Sequence, residues 1–167
     1  HSVVYAGFSA EALATRIADA GAKIVCTATS TQKNGKRHDL LQVVRDAVAQ
    51  NNSAEKVIVL QRSWDAESLQ ENEVDFTELI TSESDEFEPV VLDSSDPLFI
   101  LYTSGTTGTP KGVVHTHGGY NVYTHVTTKH TFDLQKDSVH WTAADTGWIT
   151  GHSYIVYGPL SNGVTSV

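Results

Sequence analysis

"YTSGTTGTPKGVVHTHGGY", residues 102–120, concentrates glycines and hydroxyl side chains directly after the apolar run LFIL at 98–101. Lys111 is the one cation within the glycine- and threonine-rich part. Backbone N–H groups, hydroxyls and an ammonium group close together favour an anion, above all phosphate. The stretch therefore predicts a strand that ends in a phosphate-binding loop.

This loop differs from the P-loop of nucleoside triphosphatases, G-x-x-x-x-G-K-[ST]. Gly105 and Lys111 have the required spacing, but Pro110 stands where the second glycine belongs and Gly112 where Ser or Thr belongs. Proline has no N–H to donate to phosphate, and glycine has no hydroxyl for Mg²⁺. The remaining alternative is a polar turn without function, which the density of hydroxyls and glycines disfavours.

Outside the loop, short β-rich runs alternate with helical patterns, which predicts an α/β fold with a mostly parallel sheet. Strands are predicted at 1–7, 22–28, 55–61, 96–103, 137–145 and 164–167, and helices at 9–21, 40–52, 118–132 and 151–163. Residues 63–97 are acidic and interrupt this alternation, so we expect an exposed connection there with a short helix at 74–80.

The composition excludes several classes of protein. The 167 residues carry a net charge of −9, which argues against nucleic acid or an anionic membrane as partner. No apolar run is long enough for a transmembrane span or a signal peptide. The single cysteine, Cys26, excludes an internal disulfide and is predicted to be buried. The sequence has no methionine, and both ends resemble strands, so we expect a fragment of a longer protein.

Histidines and a basic loop are two further candidate sites. His115 and His117 alternate as in a strand, but no cysteine or carboxylate lies near them in sequence, so we predict no metal site. Residues 31–39, TQKNGKRHD, bring Lys33, Lys36 and Arg37 together in an acidic chain. The loop is either a solvated turn or a second site for phosphate groups.

The run from Thr103 to Gly112 resembles the phosphate-binding signature of the AMP-forming adenylating superfamily, [ST]-S-G-[ST]-[ST]-G-x-P-K-G. Residues 141–163, WTAADTGWITGHSYIVYGPLSNG, and residues 1–28 resemble the acetyl-CoA synthetase branch more narrowly. Peptide-synthetase adenylation domains and luciferases share the first run but generally lack the second. The resemblance implies that residues 1–167 are part of a large N-terminal AMP-binding domain.

The family's reaction has two steps. A carboxylate attacks the α-phosphate of ATP bound to Mg²⁺, releasing pyrophosphate and giving an acyl-adenylate. The thiol of CoA then attacks the acyl group, giving acyl-CoA and AMP. ATP with Mg²⁺ and CoA are thus expected as substrates, with no tightly bound cofactor. We expect a cytoplasmic enzyme that acts on small molecules and uses neither nucleic acid nor a membrane; the oligomeric state stays open.

The resemblance also implies roles for individual residues. Lys111 is expected to act in catalysis by stabilising the leaving phosphates. Ile149 and Thr150 are expected to line the acyl pocket, although plain core packing is an alternative for Ile149. The phosphate loop comprises Thr103, Ser104, Gly105, Thr106, Thr107, Gly108 and Lys111. The CoA site comprises Lys33, Asn34, Gly35, Lys36 and Thr150, with Tyr5, Ala6 and Gly7 near the CoA nucleotide.

Three functions agree with these observations. The first is part of an AMP-forming synthetase for acetate, which would be inactive as this fragment alone. The second is a synthetase for propionate or a hydroxylated short acid, and the third is a nucleotide- or CoA-binding module without catalysis.

Overall fold

The computed structural model describes residues 1–50, 53–104 and 108–167, which form two units. The N-terminal unit comprises residues 6–89, and the C-terminal unit comprises residues 1–5 together with 90–167. None of the helices in the described ranges has the length and apolar character that crossing a bilayer requires.

The N-terminal unit is built from a three-stranded parallel sheet, a hairpin and three helices. The strands are β1 (Ile24–Ala28), β2 (Ser30–Lys33), β3 (Lys36–Asp39), β4 (Lys56–Leu60) and β5 (Glu73–Asp75). The helices are α1 (Ala10–Asp19), α2 (Leu40–Val48) and α3 (Phe76–Thr81). The sheet order is β1-β4-β5, and β2 pairs with β3 antiparallel.

Local capping determines where α1 and α2 begin. Ser9 Oγ accepts the N–H of Ala12 at 3.3 Å, and a carboxylate oxygen of Asp39 accepts the N–H of Gln42 at 3.0 Å. Both bonds satisfy N–H groups that have no partner inside the helix. Gly21, with φ of +58°, follows α1 as a left-handed residue, a conformation that glycine adopts without strain.

The core of this unit lies between the two helices and one face of the sheet. Leu41 and Val44 of α2 pack with Val57 and Val59 of β4, and all four are buried. Cys26 is exposed, so its predicted burial is wrong. The reason is strand alternation: Val25 packs on the core, and its neighbour Cys26 faces the opposite side of β1.

The C-terminal unit begins with an antiparallel hairpin followed by helices. Its strands are β6 (Pro97–Thr103), β7 (Lys111–Thr116), β8 (Val139–His140) and β9 (Thr165–Ser166). Its helices are α4 (His117–Phe132), α5 (Ile149–Gly151), a π-helical segment (His152–Tyr157) and α6 (Gly158–Ser161). β6 pairs with β7 antiparallel, and β8 pairs with β9 parallel.

The predicted α/β class is confirmed, with parallel pairing in two sheets and antiparallel pairing in two hairpins. The structure differs from the predicted elements at several places, and the strand predicted at 137–145 is confined to Val139–His140. Residues 1–7 form no strand, although the N–H of Ile100 donates to the carbonyl of His1 at 2.9 Å. The strand β7 was not predicted, and it ends before His117, which begins α4; His115 and His117 therefore do not share a strand face. The basic loop at 33–39 is largely strand.

The predicted connection at 63–97 has two parts. Residues 76–95 are exposed throughout, including the helix α3. Glu73, in contrast, is buried on β5 and takes part in the ion-pair network described below.

Candidate functional site

The hairpin of β6 and β7 holds the predicted phosphate loop at its end. Thr103 pairs with Lys111, so the two residues flank the loop where it leaves the strands. Thr103, Ser104 and Lys111 are exposed, and Gly108 has a φ of +79°, which favours glycine. The other members of the predicted loop lie outside the described residues: Gly105, Thr106 and Thr107.

Gly112 has a packing role in this hairpin. It pairs with Tyr102 across the two strands. A Cβ atom at Gly112 would come within 2.9 Å of Ile100 Cγ2 and 3.2 Å of the Tyr102 ring. The glycine therefore lets the tyrosine ring cover β7, which explains why a hydroxyl residue is not found after Lys111.

The start of α4 is closed by backbone rather than open to an anion. The N–H groups of His117 and Gly118 donate to the carbonyls of Asp96 and Ser94 at 3.0 and 2.8 Å. A side chain at Gly118 would collide with Ser94. These bonds join the start of α4, which follows β7, to the segment that precedes β6. They therefore hold together the two ends of the hairpin that lie away from its loop.

An aromatic cluster supports the loop-bearing hairpin. Phe99 of β6 is buried and contacts His115, Tyr120 and His152, with ring centroids 4.6, 4.8 and 4.5 Å away. Burial and neighbouring His152 lower the pKa of His115, and burial raises the pKa of Tyr120. Both shifts favour the neutral forms of His115 and Tyr120, and these two side chains pack on Phe99 in the core beside the hairpin.

His152 and Tyr120 orient this cluster through hydrogen bonds. Tyr120 Oη and Ser153 Oγ are 2.7 Å apart in the interior. His152 Nδ1 lies 3.3 Å from the carbonyl of Trp148, so an N–H on Nδ1 can donate to it. His152 Nε2 is buried and has no hydrogen-bond partner among the described residues.

A turn at 145–148 presents the residues expected to line the acyl pocket. The N–H of Gly147 donates to the Asp145 carboxylate at 2.7 Å, and the N–H of Trp148 donates to the Asp145 carbonyl at 3.1 Å. Ile149 and Thr150 follow as the first residues of α5, and both are exposed. The turn therefore holds these two side chains at the start of a helix, outside the core of the C-terminal unit.

Tyr5 lies beside the same turn. Its ring stacks on Trp148 at a centroid distance of 5.9 Å, and a side chain at Gly147 would meet the Tyr5 backbone. The structure thus brings Tyr5, which the sequence places near the CoA nucleotide, next to the residues that precede Ile149. Trp148 itself is half-exposed rather than part of the core.

The helix after this turn contains a π-helical segment, which the sequence does not reveal. Gly158, at its end, lies so close to α4 that a Cβ atom would collide with Thr128 Oγ1 and approach the carbonyl of Ser153 to 2.6 Å. π-helical turns often occur at functional sites. Here the segment follows Ile149 and Thr150 directly.

Four of the five predicted CoA residues lie together at the tip of the β2–β3 hairpin, whereas Thr150 belongs to α5 of the C-terminal unit. Asn34 and Gly35 form the turn, with φ of 52° and 72°, as in a type I′ turn. Lys33 and Lys36 pair directly across the strands, and all four residues are exposed. Like charges directly opposite each other destabilise a hairpin, which is the kind of local conflict expected at a binding site.

Arg37 differs from the two lysines. Its Nε and one terminal nitrogen donate to the two carboxylate oxygens of Asp65 at 2.8 and 3.0 Å. It also contacts Asp39 at 3.3 Å and Glu67 at 3.2 Å. These hydrogen bonds, Asp65 first, raise the pKa of Arg37, and the bond from Arg37 is the main cause of a lowered pKa for Asp65.

The network continues to a buried carboxylate. Glu67 also accepts from Arg45 at 3.1 Å, and Arg45 binds both oxygens of Glu73 at 2.8 Å. Hydrogen bonds from Arg45 are the largest cause of the lowered pKa of Glu73. Because Glu73 is ionised when folded, this contribution to stability is present above its unfolded pKa and is lost as the pH falls through its folded pKa.

Sequence reasoning missed both this network and the aromatic cluster. Arg37 lies close to Asp65 only because β3 and the turn at 62–65 meet in the fold, and no spacing in the sequence announces that contact. The cluster around Phe99 likewise joins residues from β6, β7, α4 and the π-helical segment. In the part of the chain that is described, no three His, Cys, Asp or Glu side chains are grouped so as to hold a metal ion.

Comparison with known proteins supplies the family. The family model of the AMP-binding enzymes matches residues 1–167. Acetyl-coenzyme A synthetase of Photobacterium profundum is 52% identical over 170 residues, and that of Streptomyces avermitilis is 50% identical over 169. Each alignment covers 100% of this chain but 26% of the relative, so the chain spans about a quarter of the length of these proteins.

A solved structure agrees with the fold. The crystal structure of an acyl-CoA synthetase from Brucella canis superposes with a TM-score of 0.78 and 29% sequence identity. The match covers 98% of this chain and 27% of that one. With its glycine- and hydroxyl-rich hairpin loop and a family match along its whole length, the chain belongs to the AMP-binding enzyme family.

Proposed function

We propose that this chain is part of the N-terminal AMP-binding domain of an AMP-forming acetate–CoA ligase. The observation that supports the proposal most is the run from Thr103 to Lys111 at the end of the β6–β7 hairpin, in a chain about half identical to acetyl-coenzyme A synthetases. Residues 63–97 would be a connection within that domain, and the enzyme would work in the cytoplasm.

In the first step, an acetate oxygen would attack the α-phosphorus of ATP as the bond to the β-phosphate breaks. Negative charge then grows on the leaving pyrophosphate. Lys111, together with the hydroxyls and N–H groups of the loop at 103–108, would stabilise that charge where it develops. Mg²⁺ would arrive bound to ATP; we assign it no ligand among the described residues.

In the second step, the sulfur of CoA would attack the acyl carbon, and AMP would leave. Lys33 and Lys36, with Asn34 and Gly35 forming the turn between them, would hold phosphate groups of CoA. Their forced proximity supports this role, because a bound phosphate would offset the repulsion between the two ammonium groups. Thr150 would meet the CoA arm, and Ile149 would face the methyl group of acetate.

The test uses the full-length protein that contains this chain. Acetate-dependent exchange of pyrophosphate into ATP, together with formation of acetyl-CoA and AMP from acetate, ATP and CoA, would support the proposal. Matched assays with propionate and a hydroxylated short acid rank the substrates by kcat/KM. Binding of ATP or CoA with no exchange for any of these acids would instead indicate a binding module.

A further inference from the structure

The hairpin that carries Lys33 and Lys36 has two faces with different partners. Cross-strand pairs share a face, and successive pairs alternate. Lys33 and Lys36 form the last pair before the turn, and Gln32 and Arg37 form the next. Arg37 therefore leaves the hairpin on the face opposite to the two lysines.

On that opposite face, Arg37 binds the hairpin to Asp65, in the turn at 62–65, and to Glu67, which follows the turn. The paired contacts to both oxygens of Asp65 fix the guanidinium plane, and Glu67 accepts a further bond at 3.2 Å. A paired arginine–carboxylate contact restricts orientation as well as distance. Glu67 also forms an ion pair with Arg45 on α2, and Arg45 in turn pairs with buried Glu73 on β5.

The same contacts separate opposite charges. Asp39, Asp65 and Glu67 all lie within 3.3 Å of Arg37. A carboxylate that swung towards the turn would oppose a phosphate at Lys33 and Lys36. Arg37 engages these carboxylates on the face of the hairpin opposite to Lys33 and Lys36.

We infer that Arg37 is a positioning residue for CoA: through its paired contact with Asp65 it fixes the β2–β3 hairpin so that Lys33 and Lys36 face the phosphate groups. This inference rests on the proposed function, because it assumes that the two lysines bind CoA. Arg37 itself touches no substrate in this arrangement. Its effect should therefore appear in the CoA step and not in adenylation.

The experiment compares Arg37→Gln, Arg37→Lys and Asp65→Asn in the full-length protein. We expect Arg37→Gln to raise the KM for CoA about tenfold, as loss of a charged hydrogen-bonded link implies. Arg37→Lys keeps the charge but loses the fork, so its KM should be intermediate. Acetate-dependent pyrophosphate exchange should stay within about twofold of wild type, because Arg37 has no part in adenylation. Loss of both activities would instead indicate a misfolded variant.

Asp65→Asn separates positioning from charge. If positioning operates, Asp65→Asn raises the KM for CoA although it removes a negative charge, and the double variant is no worse than Arg37→Gln because the two residues act as one unit. A lower KM for Asp65→Asn, or strictly additive effects, would overturn the inference. Glu55→Gln is the matched control, since it breaks the exposed 2.8 Å pair with Lys23 in the same unit but away from the hairpin.

Failure of the proposed function has a different signature. If replacing Lys33 and Lys36 by alanine leaves the KM for CoA unchanged, the lysines are not the CoA site and the premise is wrong. If that replacement raises the KM while Arg37→Gln does not, the lysines bind CoA and the positioning inference alone is rejected.

Discussion

Lys111 occupies a defined place in the fold although three of its neighbours in the loop lie outside the described residues. It is the first residue of β7, pairs with Thr103 and is exposed. Its backbone is thus held by the sheet at the point where the chain returns from the predicted phosphate loop. The position suits a group that meets a substrate phosphate, because the start of its flexible side chain is fixed.

Lys111→Ala in the full-length protein should slow adenylation by ~10²–10³-fold, because one preorganised charge next to the leaving pyrophosphate is lost. Pyrophosphate exchange measures this step. The reaction of acetyl-AMP with CoA should be affected much less, because pyrophosphate has already left. Equal losses in both half-reactions would mean that the lysine supports folding or another step.

Ile149 should determine the size of the acid. Ile149 is 41% exposed and is therefore not part of the core of the C-terminal unit. Ile149→Ala should raise the kcat/KM for propionate relative to acetate. A methylene in an apolar pocket is worth ~1–3 kcal/mol, so the ratio should change by roughly 5–150-fold. An unchanged ratio in a stably folded variant would remove Ile149 from the acyl pocket.

Among the elements, the β2–β3 hairpin makes the sharpest functional prediction. Replacing both Lys33 and Lys36 by alanine should raise the KM for CoA and leave the KM for ATP nearly unchanged, since two point charges opposite a phosphate are lost. If the contact is to the 3′-phosphate, dephospho-CoA should discriminate poorly between wild type and variant. An unaltered KM for CoA would show that the two lysines do not bind CoA and that this hairpin is a solvated turn.

The contact between α4 and α6 predicts an effect on stability. Gly158→Ala places a methyl group against Thr128 and the Ser153 carbonyl, and overpacking of this kind costs ~1–3 kcal/mol. Gly119→Ala is the matched control at an exposed position of α4, where the added Cβ meets only Thr116 Oγ1 at 3.4 Å. It should change the free energy of unfolding by no more than about 1 kcal/mol, in the stabilising direction, because alanine favours a helix over glycine. Denaturant midpoints of the full-length variants measure both, and equal midpoints would show that the two helices separate freely.

The elements also show what sequence can predict. The apolar periodicity located α1 and α2, because it depends only on residues within each helix, and Ser9 and Asp39 cap the two helices a few residues from their own positions. β7 was missed because its pairing with β6 depends on contacts across the loop, and glycine and threonine have weak local preferences. The π-helical segment was missed because the apolar periodicity of residues 151–163 does not distinguish a π-helix from an α-helix, and the close packing of Gly158 on α4 is visible only in the fold.

At the scale of the whole molecule, the family follows from two local stretches of sequence, whereas the candidate sites depend on contacts between distant residues. The motif at 103–112 and the run at 141–163 name the family from sequence alone. The Arg37–Asp65 contact and the Phe99 cluster join residues far apart in the chain, so only the fold reveals them. The exposure of Cys26 likewise depends on which face of β1 the helices cover.

The 167-residue chain by itself should not form acetyl-AMP. It aligns with about a quarter of each relative, and we expect the remaining three quarters to supply groups that adenylation needs. Pyrophosphate exchange by the purified chain should remain at background, with the full-length protein as the positive control. Acetate-dependent exchange by the chain alone would show that these residues suffice for adenylation.

The opposed lysines of the β2–β3 hairpin also make folding and ligand binding thermodynamically linked. Their repulsion exists only when the hairpin is formed, because the unfolded chain lets the two ammonium groups separate. Any polyanion that bridges them therefore favours the folded state, by about 2.7 kcal/mol at a hundredfold excess over its Kd. Binding of a polyanion at this turn should therefore raise the melting temperature. Added salt should reduce that rise, because it screens the charges of the two lysines and of the ligand.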